Sequence, residues 1–252
     1  MKKLEKKLGG LTNIDEIIRT IKKFSNDPDF KRYANKEARK LVTNLFVDGG
    51  KTWREAARKS TQGRMIYERL KSELHGPLNA ALNFEIQKNA EIIKSIPLNI
   101  SKEVTEHILN ESMSGRRASN IAEDLQEMIP KLTKSKAKLI ARTETSKTST
   151  ALTKARCESL GINWYIWRTS EDRRVRSSHS HMEGVLVCWN NPPSPEALTN
   201  EKNVGFYHAG DIYNCRCYPQ PVIKLDYIKW PQKVYYNGQI ITMTRKQFES
   251  IM

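Results

Sequence analysis

The chain has 252 residues, 38% of them hydrophobic and 28% charged, with a formal net charge of +15 and only four cysteines. That length can bury one large core or two modest ones, and the composition excludes wholesale disorder. No apolar run is long enough for a membrane span and the opening MKKLEKKLGG lacks the apolar stretch of a secretion signal, so the sequence points to a cytoplasmic protein with no membrane partner.

The positive excess lies toward the start, where residues 1–95 carry 21 Lys and Arg against 12 Asp and Glu. Such an excess attracts polyanions through a salt-sensitive term that is indifferent to base sequence, and it equally keeps a helical surface soluble.

In chain order, Phe30, Tyr33, Ala34, Ala38, Leu41, Val42, Leu45 and Phe46 recur at three- and four-residue spacings and predict a helix that ends at Gly49-Gly50. A second helical stretch carries Trp53, Ala56, Ala57, Met65, Leu70 and Leu74, breaks at Gly76-Pro77, and resumes through Leu82, Phe84 and Ile92 to stop before Pro97. Two shorter helices are expected near 101–113 and 117–129, separated by Ser114-Gly115, with Pro130 ending the second. Thr133 then reads as the N-cap of a long helix from 136 to 160, with Gly161 as its C-terminal stop.

Past Gly161 the period changes. Asn163–Thr169 is aromatic and β-branched and predicts a strand, and Asn237-Gly238 between two apolar runs predicts a two-residue hairpin over 233–242. Thr244 caps a last short helix to Ile251. Between strand and hairpin, residues 170–221 have no periodicity yet hold three of the five histidines and three of the four cysteines. A segment of that length is functional, mobile, or fastened by something other than a hydrogen-bonded ladder. The expected fold class is α+β: a mainly helical, basic domain over 1–132, then a small domain over 133–252 with short antiparallel strands.

The chemistry-bearing residues fall in four short stretches: Ala141–Thr145 on the long helix, Asp172–Arg176, Ser178–Gly184, and Asn214–Cys217. Cys215 and Cys217 can be read as a disulfide, metal ligands, a nucleophile with a neighbour, or two small buried side chains. A reducing cytoplasm and the awkward span of an i, i+2 bridge disfavour the first. Cys157 reads as a helix-face residue and Cys188 as a strand-edge residue beside Trp189. An enzyme reading takes Glu144, Asp172, His179, His181 and the thiols as a hydrolase or nuclease site, but no metalloprotease helix motif, phosphate-cradling loop or serine elbow accompanies them. The alternative for Glu144 is a buried pair that ties the long helix to the Asp172–Arg176 turn.

In this order and spacing the four stretches resemble the phage head morphogenesis family, the Mu F-like minor capsid proteins, over about residues 133–222. The resemblance implies a non-enzymatic, low-copy component of a tailed-phage head, in the capsid interior of the virion and in the host cytoplasm during assembly. Its implied partners are portal protein, scaffold or major capsid protein, and double-stranded DNA bound without sequence preference. It marks Arg142, Glu144, Asp172, Arg176 and Gly184 as motif residues. The resemblance also implies a ligand set, Cys-x-x-Cys paired with a later His and Cys-x-Cys, suited to tetrahedral zinc. Here Arg176 stands first and His179 fourth, so one ligand of that set is missing. Cys215, Cys217 and His179 with one of His208 or His181 could still supply four donors. The favoured expectation is no cofactor and a hydrogen-bonded knot in which Asp172 or Glu144 pairs with Arg173, Arg176 or Arg216. The competing functions are a metal-dependent nuclease or toxin-like hydrolase, and a free-standing DNA-binding protein.

Overall fold

The structure is a computed structural model and describes residues 2–8, 11, 13–58, 66–68, 76–114 and 116–252. Its elements are α1 (Lys2–Leu8), α2 (Ile14–Ser25), α3 (Pro28–Arg58), α4 (Pro77–Met113), α5 (Ala118–Leu160), β1 (Trp164–Thr169), α6 (Ser177–His181), β2 (Leu186–Cys188), α7 (Pro195–Leu198), β3 (Cys217–Pro221), β4 (Gln232–Tyr236), β5 (Gln239–Met243) and α8 (Arg245–Glu249). The chain is α+β, as its sequence implies.

Two compact units assemble from segments distant in sequence. One takes Met1–Val42 with Phe84–Arg142, the other Thr43–Asn83 with Thr143–Met252. The first is all-helical. Asn13 caps α2 by accepting from the Glu16 amide at 3.2 Å, and Asp27 caps α3 by accepting from the Asp29 and Phe30 amides at 2.8 and 3.3 Å. Its core gathers Leu4, Ile17, Ile21, Phe24, Phe30, Ile96, Ile100, Val104, Leu125 and Ile129.

Three expected helix ends are absent. α4 runs through Pro97 and α5 through Pro130. An interior proline costs about 3 kcal/mol, but Ile96, Ile100 and Val104 on α4, and Ile121, Leu125 and Ile129 on α5, are all buried. Each such side chain contributes roughly 1.5–3 kcal/mol, so the packed stripe outweighs the proline. Thr133 is consequently a buried mid-helix residue rather than a cap, and a boundary at residue 132 falls inside a continuous helix. Gly49 and Gly50 likewise do not end α3. They make room for Arg156 of α5, whose buried guanidinium donates to the Phe46 carbonyl at 2.8 Å and lies over the Phe46 ring. A Cβ on Gly49 would stand 2.8 Å from Arg156 Nη1. The part of the second expected helix that falls at 59–65 and 69–75 lies outside the described residues.

Local signals further on hold. Gly161, at φ +71°, ends α5 with the Ile162 amide bonded back to the Cys157 carbonyl at 2.8 Å. Asn237 and Gly238, at φ 49° and 80°, turn the β4–β5 hairpin. Thr244 and Gln247 form a capping box on α8. The five strands order as β3-β1-β2-β4-β5. All neighbours are antiparallel except β2 and β4, which meet in parallel at Leu186 and Val234. The strand alternation puts Tyr165, Trp167, Val187 and Tyr235 on one face with Cys157 of α5 and the two buried sulfurs, and Trp164, Leu186, Val234 and Met243 on the other with Phe248 of α8.

Candidate functional site

The aperiodic stretch 170–221 is ordered by short elements and by contacts with α5. The Asn214 amide donates to Thr143 Oγ1 at 3.2 Å, and Thr150 Oγ1 donates to the Ala209 carbonyl at 2.8 Å. Between these points Gly210, at φ +88°, passes so close that a Cβ would collide with Thr150 Oγ1 and come within 3.0 Å of the Cys217 carbonyl oxygen. The ladder of β1 and β3 continues one step beyond the strands, where the Ser170 amide donates to the Arg216 carbonyl at 2.8 Å.

On that frame His179 of α6 meets both cysteines. Its Nδ1 lies 3.5 Å from Cys215 Sγ and 3.3 Å from Cys217 Sγ, and all three side chains are buried. On the far side of the ring, Nε2 lies 2.9 Å from the Tyr207 hydroxyl. That hydroxyl is 2.7 Å from each carboxylate oxygen of buried Glu196. Tyrosine has one proton to give, and the carboxylate takes it. The phenolic oxygen therefore accepts from Nε2–H, and Nδ1 is the ring nitrogen turned toward the two sulfurs. Trp167 stands edge-on to the imidazole at 5.8 Å.

The thiols titrate as a pair. Cys215 is lowered to about 4, first by the hydrogen bond from Cys217, against an opposing desolvation, and then by His179. Cys217 is pushed up by that same bond and by burial. The Cys157 thiol is pushed up to about 12 by burial. All four cysteines are free.

Three of the expected metal donors therefore converge, their ligand atoms all within 4.8 Å of one another. Tetrahedral zinc, with bonds of about 2.3 Å to sulfur and 2.0–2.1 Å to nitrogen, would set a nitrogen and a sulfur roughly 3.5 Å apart. The two observed nitrogen–sulfur separations fit such a site. The Nε2–H partner completes the outer shell a metal-bound imidazole ordinarily has. His208, the expected fourth donor, sits elsewhere. Its Nδ1 is 3.2 Å from the Tyr165 hydroxyl and its ring packs on Trp189 at 5.0 Å. His181 is exposed. No other His, Cys, Asp or Glu joins the cluster among the described residues.

The motif residues take separate parts. Asp172 pairs with Arg216, which lowers the carboxyl to about 2, and also accepts from the Arg174 amide at 2.9 Å. Arg176, the N-cap residue of α6, donates to the Tyr213 carbonyl at 2.8 Å. Gly184, at φ +78°, bonds its amide to the Trp167 carbonyl at 2.9 Å and starts β2 in register. Glu144 is buried on α5 beside Thr143, and Arg142 is exposed on the same helix. Tyr207, Glu196 and Thr150 carry no signal in the sequence, and Thr143 lies within the Ala141–Thr145 stretch without a role having been given to it.

The small mixed sheet thus has its long connecting segment fastened around the buried His179 and the Cys-x-Cys. Residues 102–219 match the family described as phage Mu protein F like protein. The match begins within α4, upstream of the residues whose motifs suggested it. An uncharacterized protein of Haemophilus influenzae is 31% identical over 159 residues, which make up 63% of this chain and 32% of that protein, so the chain spans about a third of its relative's length. No solved structure matches.

Two outcomes test this geometry. Gly210→Ala adds left-handed strain to a collision and is expected to destabilise the protein by about 3 kcal/mol in chemical denaturation, with the Cys215–Cys217 segment exposed first. His208 is lowered to about 4, chiefly by burial and then by Lys154. An unfolded histidine titrates near 6.5, so the unfolded chain binds the extra proton first. Stability present at pH 7 is thus lost as pH falls from 6.5 toward 4, by up to about 3 kcal/mol. His208→Gln should flatten that part of the stability profile.

Proposed function

We propose that the chain is a minor head protein of a tailed bacteriophage that acts structurally rather than as an enzyme. Its Mu F-like segment is a clasped platform, and its basic helices contact portal, scaffold or major capsid protein and the packaged DNA. The observation that carries this reading is the family match over 102–219, which takes in both the His179 helix and the Cys-x-Cys strand. The exposed side of α3 supports the polyanion contact. Lys36, Arg39 and Lys40 lie there opposite the buried Ala34 and Ala38, a row suited to phosphates through counterion release. No described helix is long and apolar enough to cross a membrane. Localisation in the capsid interior follows from the DNA contact in this reading.

The test is co-purification from phage-producing cells. A head protein sediments with procapsids and portal, whereas a free DNA binder stays in the soluble fraction and a nuclease nicks plasmid in the presence of metal. Sedimentation with particles and no nicking are expected. A soluble, particle-free distribution contradicts the proposal.

The convergence of His179, Cys215 and Cys217 favours a second reading of the clasp itself, in which these three residues hold a zinc ion. Bound there, the metal would cross-link α6 to the start of β3. Purified protein titrated with zinc in the presence of a chromogenic chelator should then retain about one equivalent, and Cys217→Ala should lose it. If wild-type protein retains none and chelator leaves its melting temperature unchanged, the hydrogen-bonded clasp stands without metal.

A further inference from the structure

The sheet has two free edges, and they differ. On β3, Pro219 and Pro221 lack the N–H that an added strand would need. On β5, Gln-Ile-Ile-Thr-Met, there is neither proline nor charge, and Ile241 is 39% exposed. The hairpin's two-residue turn closes on the pair Tyr236–Gln239, so bonded pairs recur at Val234–Ile241 and Gln232–Met243. The N–H and C=O groups of Ile240 and Thr242 therefore face away from β4. Among the described residues, neither takes part in a backbone hydrogen bond outside the sheet.

We propose that β5 pairs antiparallel with β5 of a second copy of this chain, across a two-fold axis at Ile241. In that register Ile240 of each copy lies opposite Thr242 of the other. The outward amides and carbonyls meet reciprocally in about four hydrogen bonds. The two Ile241 side chains face each other in the close, non-bonded pair, where cross-strand side chains approach most nearly. Moving the register by two residues either way leaves one outward group opposite the turn or the cap of α8, so the centred pairing is the one that satisfies the whole edge. Two five-residue strands bury far less than the roughly 1,200 Å² of a stable interface. The contact is accordingly weak, and gains strength where copies are held close together.

Sedimentation equilibrium of the purified chain from about 10 μM to about 1 mM tests this. The expected result is a monomer–dimer equilibrium within that concentration range. Thr242→Pro removes an N–H that β4 does not use, and Ile241→Lys places two charges on the axis. Each should lower the association constant at least tenfold with the melting temperature of the monomer nearly kept. A wild-type chain that stays monomeric through the range, or a dimer that survives both substitutions, overturns the proposal.

Discussion

The fold of the C-terminal unit depends on one close approach, that of the 207–217 segment to α5. Gly210 has no side chain and a left-handed backbone, so the segment can lie against Thr150 and Ser146. That proximity lets Thr150 and Thr143 saturate backbone groups on either side of it. Cys215 and Cys217 are thereby delivered under the sheet, where His179 waits between them and the Tyr207–Glu196 pair. Without the approach, three polar side chains and two thiols would have no reason to be buried, since each depends on the others for its hydrogen bonds.

The clasp also explains how a segment with so little secondary structure stays ordered. Asp172–Arg216 and Arg176–Tyr213 close its rim, Glu183 holds the end of β1 through the Thr169 amide and Arg168, and the aromatic side chains of Trp167, Tyr165 and Trp189 fill the space behind. The rim pairs are partly exposed and add little individually. The interior contacts fix the geometry. A buried histidine with one nitrogen committed to a phenol and the other aimed at two sulfurs is suited to holding chain segments together, with or without a cation.

Much of this was legible from sequence where the signal is local. The Asn237-Gly238 turn, the Gly161 stop and the Thr244 cap each depend on a few neighbouring residues, and each is found where expected. So is β1. Pro97, Pro130 and Gly49-Gly50 misled for a common reason: their local preference is outweighed by tertiary packing, by aliphatic stripes at the prolines and by Arg156 at the glycines. The sequence had no way to separate His208 from His179, since both lie in the aperiodic segment. Only the fold sends one to the sulfurs and the other to Tyr165. Glu196 was invisible because a lone acid in a proline-rich loop has no pattern. The parallel β2–β4 contact is likewise set by the clasped segment between β2 and β4, not by any feature of the strands.

Native-state thiol labelling, read residue by residue by mass spectrometry, tests the clasp most directly. If Cys215 and Cys217 are locked under the sheet, they should react only as fast as the whole unit unfolds, in step with buried Cys157, while the partly exposed Cys188 reacts sooner. Rapid modification of Cys215 or Cys217 in the folded protein would contradict it, because thiols locked under the sheet are out of reach of the reagent until the unit opens.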